Sequence, residues 1–501
     1  MTWRHRIALV VLLLTLPVGL AAGAPADPAE DVLGWEAGYW HNESLDVGDE
    51  PSRAELRAVT RRAMARLEVL RQREFETDVG VDVVDRSTLR DSGAVGGNAS
   101  NDTGPSNGSE WNNQVWEALF IVGEDRDIGE LIGSTTEGAV GGFYSHTGGN
   151  VSIVTDGERT VDVRTIVHEL VHALQDQRYN LSSDRFEPDV QDGQLAVRGL
   201  YEGEANYLQQ RYLDRCGRQW SCLRRGGGGG DGGSGDPPEN WGVFLLLFQP
   251  YSDGPPYVAD VVDRRGWDGV DALFEDPPAT SETVIHREAR PTEPIAFEDR
   301  SSEDWRLFPE QGIDGYDVAG EASIFGTFWY QSHGALGEGL GVIDADAFQR
   351  PDAGRYDTYD YTSTPSEGWG NDRIYPYRNG DERGYVWLTA WDTASDAREF
   401  HEAYMSVLEG NGAERVRDGV WRIPEGRFAD AFRVTRRGAN VTIVNAPTVD
   451  QLGAVRRPTT SENVTGGTET GGDGRSLPAP WLLGTVLALV VVAVSARVRR
   501  R

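Results

Sequence analysis

The chain has 501 residues, with 80 acidic side chains against 48 basic ones for a formal charge of −32, and every basic residue is arginine. This balance argues against nucleic-acid binding, which needs clustered positive charge. A dense carboxylate surface stays hydrated where concentrated salt screens charge and strengthens apolar association, so most Asp and Glu are expected on solvated faces.

Residues 1–24 carry Arg4 and Arg6, an apolar run, and then Ala22, Gly23 and Ala24, the pattern of a secretory signal peptide. An acidic lead-in, 25–51, follows. Ser52 and Glu55 then have capping-box spacing for a helix bearing Leu56, Val59, Met64, Leu67 and Leu70. Residues 93–110 read as a Gly/Ser/Asn-rich loop containing the sequons at Asn98, Asn101 and Asn107. Further N-x-S/T sequons begin at Asn42, Asn150, Asn180, Asn440 and Asn463, so N-glycans are expected on an exported chain.

Residues 150–155 alternate polar and β-branched side chains and predict a strand. It is expected to be an edge strand, able to hold an extended peptide by backbone pairing. Asp162 is a candidate N-cap for a helix over 163–177, which contains His168, Glu169 and His172 in H-E-x-x-H spacing. Helical residues four apart leave one face about a turn apart. That spacing suits two ring nitrogens bound to one zinc ion at about 2.0–2.1 Å. Glu169 projects beside them, placed to take a proton from water. The alternative is an ordinary helix with two hydrogen-bonded histidines.

Two histidines leave zinc short of a protein ligand. A second helix is predicted over 194–213, centred on Glu202, Gly203, Glu204, Ala205 and Asn206. Glu204 falls within the apolar stripe of Val197, Leu200, Tyr201, Leu208 and Tyr212, whereas Glu202 lies toward the polar side. A buried carboxylate needs a partner, and a metal is one, so both remain candidates. Cys216 and Cys222 follow closely and are expected to form a disulfide in an oxidising compartment. A two-cysteine metal site is the alternative, but no ligand pair is evident nearby. Residues 226–235 are a glycine run without the Lys-Ser/Thr ending of a phosphate-binding loop, hence a flexible insertion.

Farther along, 385–391 predicts a strand, 395–408 an amphipathic helix, and 431–445 a hairpin turning at 437–439. Residues 451–476 include a Thr/Gly/Glu-rich stalk, and 477–496 are apolar enough to cross a bilayer. The arginines of 497–501 would hold that end on the cytoplasmic side. The expected division is a helical catalytic domain with a small sheet over 52–290 and an α+β companion domain over 291–450.

The H-E-x-x-H helix followed by Glu202-Gly203-Glu204-Ala205 resembles zinc metallopeptidases of the gluzincin type. Gly142-Phe143-Tyr144, Pro250–Gly254, Arg265-Gly266-Trp267, 277–286, 368–373 and 386–392 extend a resemblance to poorly characterised H-E-x-x-H proteins of bacteria and archaea, in particular membrane-anchored surface proteins of halophilic archaea. The resemblance implies a zincin-like α+β fold with Zn²⁺ held by His168, His172 and Glu202. Glu204 and Asn206 would support the ligands or supply an alternative one. It also implies a catalytic helper outside the metal shell, for which His286 is the candidate and Tyr201, Tyr207 and His146 are weaker ones. The expected protein is a cell-surface metallopeptidase acting on peptide or protein substrates outside the cell. The competing reading is a cell-surface binding or envelope-structural protein on the same scaffold.

Overall fold

The computed structural model describes residues 32–48, 51–88, 107–137, 140–155, 162–223, 238–333, 341–344, 348–349, 356 and 359–458. The expected signal peptide, glycine run and membrane helix lie outside them, as does the stalk beyond residue 458; its expected start at 451 is instead a short helix, Leu452–Val455, with Leu452 and Val455 buried in the core. Among the described residues no helix is long and apolar enough to cross a membrane.

A short hairpin, β1 (Trp35–Glu36) and β2 (Tyr39–Trp40), precedes α1 (Arg53–Arg71). The capping box forms as predicted: Ser52 Oγ accepts from the Glu55 N–H, and Glu55 Oε2 accepts from the Ser52 N–H. Leu56, Val59, Ala63, Leu67 and Leu70 bury one face of α1. Next come β3 (Gly80–Asp85), α2 (Asn107–Ala118), α3 (Ile128–Glu137), β4 (Gly142–Ser145) and β5 (Asn150–Thr155). The three-stranded sheet has the order β3-β5-β4, with β5 parallel to β3 and antiparallel to β4. The predicted strand at 150–155 is therefore central and has no free backbone edge. The edge on its antiparallel side belongs to β4.

Four helices follow: α4 (Val163–Tyr179), α5 (Gln191–Arg215), α6 (Trp241–Glu275) and α7 (Ser281–His286). The chain then forms β6 (Arg306–Leu307) and α8 (Gly320–Ser332), which is buried on every side. The remaining elements are β7 (Trp369–Asn379), β8 (Glu382–Trp391), α9 (Ala394–Gly410), β9 (Glu414–Arg417), β10 (Val420–Arg422), β11 (Ala431–Arg437), β12 (Asn440–Ala446) and α10 (Leu452–Val455). Strands β6 to β12 make one antiparallel sheet of order β6-β7-β8-β12-β11-β10-β9. Sheets and helices are segregated along the chain, so the fold class is α+β.

Two large cores organise the molecule. One packs α1, α4, α5 and the second half of α6; the other packs α2, α3, the start of α6, α8, α9 and one face of the large sheet. The cores thus do not divide at residue 290. Residues 107–137 precede the metal-motif helix yet pack with the C-terminal sheet, because Trp111, Val115, Leu119 and Phe120 bury their side chains there.

Asp372 ties α8 to the large sheet within the second core. Its buried carboxylate accepts from the indole N–H groups of Trp369 and Trp387 and from the first main-chain N–H groups at α8, Ala319 and Gly320. Four donors and the positive end of α8 offset the charge in part, and burial still holds the carboxyl above its usual range. Nearby, Asp317 accepts from the Gln191 N–H at the start of α5.

Candidate metal centre

Asp162 caps α4 by accepting from the Arg164 N–H at 2.9 Å. Ile166, Val167, Leu170, Val171 and Leu174 are buried, which fixes the rotation of the helix and turns His168 and His172 toward α5. The two imidazole Nε2 atoms lie 3.1 Å apart. Glu202 Oε2 completes a triangle, 3.1 Å from His168 Nε2 and 3.4 Å from His172 Nε2. Tetrahedral ligands at about 2.0–2.1 Å from zinc are separated from one another by about 3.3 Å. The triangle therefore has the dimensions of three zinc ligands, and two imidazoles with one carboxylate are a donor set that zinc favours.

All three side chains are buried. Burial raises the Glu202 carboxyl, but His172 and His168 outweigh it and hold it down to about 2. Burial opposes charge on His172, yet Glu202 and Glu169 push it up to about 9. His168 is lowered, mainly by burial.

Glycines set the crossing of α5 over α6. A Cβ on Gly203 would stand 2.5 Å from the Gly254 carbonyl carbon, and one on Gly254 would strike the Gly199 carbonyl oxygen. The backbones touch immediately beside Glu202. This contact brings Tyr251 of α6 to the triangle: its hydroxyl hydrogen-bonds Glu202, and its ring stacks over His168 at 6.5 Å between centroids. Tyr201 packs edge-on to His172 at 5.9 Å and hydrogen-bonds Arg198.

Behind His172 runs a continuous brace. His172 Nδ1 contacts Gln175 Oε1 at 2.9 Å, an arrangement that leaves Nε2 to act as a ligand when the proton is on Nδ1. Gln175 Nε2 donates to the Tyr201 carbonyl and to Glu204 Oε2, both at 2.9 Å. Glu204 Oε1 pairs with Arg71, which also binds Asp271 and the Tyr179 hydroxyl. Arg71 stacks on Trp267, 4.6 Å from the ring centroid. Trp267 follows Gly266, whose φ of 67° breaks the helical path inside α6. Of the two candidate carboxylates, the structure thus brings Glu202 to the histidines and gives Glu204 a guanidinium.

Glu169 lies against the edge strand. A Cβ on Gly142 of β4 would come within 3.4 Å of Glu169 Cγ, and the Tyr144 N–H donates to the Glu169 carboxylate. Val154 pairs with Gly141 across the ladder, so in antiparallel alternation the backbone groups of Gly142 and Tyr144 face away from β5. Glu169 Oε1 is buried without a hydrogen-bond partner, and burial pushes the carboxyl up to about 8.

The other expected site residues sit elsewhere. His286 pairs with Glu321 of α8 at 2.8 Å, and the charges acting on it come from Glu321, Arg290 and Glu282. It makes no contact with the triangle, so the tyrosines beside the ligands replace it as candidate helpers. Asn206 is half-buried on α5 with Nδ2 unpartnered. His146 pairs with Asp176, and Tyr207 donates no bond to the triangle but accepts from Arg211. Cys216 and Cys222 form a disulfide.

Residues 306–456 match a domain of unknown function (DUF8575). No curated protein and no solved structure matches the chain. The matched segment holds the large sheet and α8, while the triangle lies before it.

Sequence reasoning missed Tyr251, Gln175 and Arg71. Gln175 carried a signal, being three residues after His172 on the same helical face. Tyr251 lay in the Pro250–Gly254 segment of the resemblance, which gave it no role, and Arg71 carried no signal, because it arrives from another helix.

Proposed function

We propose that the chain is a gluzincin-type zinc metallopeptidase with His168, His172 and Glu202 as ligands. A zinc ion bound there would supply Lewis acidity and bring the pKa of water toward neutrality. The observation that carries the reading is Glu169: a buried carboxylate beside the triangle, held by the Tyr144 N–H and keeping Oε1 free of partners. A purely structural metal site has no use for such a group.

In this reading β4 pairs with an extended peptide through the backbone groups of Gly142 and the carbonyl of Tyr144, whose N–H is already held by Glu169. Glu169 takes a proton from the attacking water and returns it to the leaving amine. Glu169 would be ionised, as a base requires, once a cation held by the triangle lowered its pKa. Tyr251 or Tyr201 donates to the carbonyl oxygen as negative charge develops on it. The chain would act at the outer surface of a cell, anchored through 477–496, with N-glycans on its exposed sequons.

The test is Glu169→Gln, assayed for peptide hydrolysis beside metal content. Zinc should remain at about one per chain, while kcat drops by about 10²–10⁴-fold. Undiminished hydrolysis by this variant would remove the mechanism. Wild-type protein that folds but takes up no zinc would favour the binding or envelope-structural role.

A further inference from the structure

Among the described residues a second group of side chains is close enough to hold a metal ion. Glu117 ends α2, Glu124 lies in the following turn, and Asp430 precedes β11. One carboxylate oxygen from each lies within 4.8 Å of the others. Glu117 and Asp430 are buried; Glu124 is exposed. The charges acting on Glu117 are all acidic: burial, Asp430 and Glu124 together push its carboxyl well up. Asp430 is raised to about 7 by burial and Glu124. The nearby Arg427 turns toward Asp125, at 3.7 Å.

A second observation points to a ligand. Asn445 on β12 is completely buried (0% exposed), and its Nδ2 donates to Asp430 Oδ2 at 2.7 Å, so its carboxamide is directed into the group. Its carbonyl oxygen, Oδ1, has no hydrogen-bond partner. A buried acceptor left unpaired is costly, and native structures avoid it unless a partner is supplied.

We propose that Glu117, Glu124, Asp430 and Asn445 bind a calcium ion that fastens the α2 turn to the C-terminal sheet. The donors are all oxygen, which selects a hard cation over zinc. Two buried acids and one exposed acid offer mono- or bidentate coordination, and the exposed side admits water to complete the six to eight oxygens that calcium takes. Magnesium demands stricter octahedral geometry and fits side chains of such mixed lengths less well. The ion would reinforce an apolar contact in the same place, where Phe120 packs on Phe428 and Phe432 at 4.7 and 5.7 Å between centroids. Neither the triangle nor its chemistry enters this proposal.

Tyr385 and Tyr404 lie within electrostatic reach of Glu117 and can sensitise a lanthanide bound there. The experiment titrates terbium into zinc-loaded full-length protein, stripped of other divalent ions, in molar KCl that suppresses binding to the acidic surface. Tyrosine-sensitised emission should saturate near about one equivalent. Calcium should displace it at far lower concentration than magnesium, and calcium alone should raise Tm. Asp430→Asn should weaken binding by about tenfold or more and cancel the Tm rise. Glu124→Gln, at an exposed position, should weaken it several-fold. A protonated Glu117–Asp430 pair without metal predicts the opposite: no calcium-dependent Tm shift and no saturable emission. That result, or binding unchanged in both variants, overturns the proposal.

Discussion

Gln175 shows how much of the centre depends on residues that touch no ligand atom at the metal side. It fixes the tautomer of His172 and is itself held by Glu204. Gln175→Leu should fold but bind zinc about 10–100-fold more weakly, measured by competition with a chromophoric chelator. Glu204→Gln tests the next link. Breaking a buried ion pair costs about 3–5 kcal/mol. Asp271 continues to compensate Arg71, so a loss of about 3 kcal/mol, at the low end, is expected in denaturant unfolding. At this scale the sequence was legible where the relation was local. His168, Glu169 and His172 are set by helical spacing alone. The local pattern left the Glu202–Glu204 choice open, and only the resemblance favoured Glu202: the apolar stripe placed Glu204 inside, where it does lie, but its partner Arg71 is 133 residues away and leaves no mark on that pattern.

Elements were readable where local rules and packing agree. The capping box of α1, the helix α4 and the hairpin β11–β12, turning at Gly438 with φ 56°, all follow from short-range chemistry. Helix α6 went unread because Pro250, Pro255 and Pro256 argue against a helix interior, at about 3 kcal/mol each. Burial of Val243, Leu246, Tyr257 and Val258 overrides that preference. Helix α8 went unread because, buried all round, it has no polar face to generate periodicity. The β4 edge was passed over for β5, since alternation reveals a strand but not its neighbours. The α5–α6 crossing makes a prediction of its own. Gly203→Ala would ordinarily favour a helix by about 1 kcal/mol. Contact with the Gly254 backbone should reverse the sign, destabilising by about 1–3 kcal/mol and lowering zinc content as Glu202 moves, with thermal unfolding and metal analysis as readouts.

The whole molecule holds two sets of carboxyls that titrate in opposite senses. Asp317, Glu282 and Asp430 are raised to about 7, chiefly by burial. A carboxyl raised in the folded state loses its proton first in the unfolded chain, so these groups stabilise at low pH and their contribution fades as pH rises from about 4 to 7. Asp271 and Asp176 are lowered, because hydrogen bonds and cationic neighbours outweigh burial. Their contribution is present above about pH 4 and is lost as pH falls through their folded values. In fixed salt without calcium, Tm should peak near about pH 4–5 and decline toward neutrality. A Tm that climbs steadily from pH 5 to 8 would contradict the raised set.

The junction at Asp317 bears on how this chain can be taken apart. The matched segment, 306–456, begins before α8, whose buried surfaces are covered partly by α6 and α7 from outside the segment. Its Asp317 and Val318 also meet the backbone N–H groups that start α5, at Gln191 and Asp192. A gene fragment cut at that boundary would bare an apolar helix to water and remove the anchor of the helix that carries Glu202. Recurrence in sequence marks this segment as a unit of inheritance, while its contacts make it a poor unit of excision.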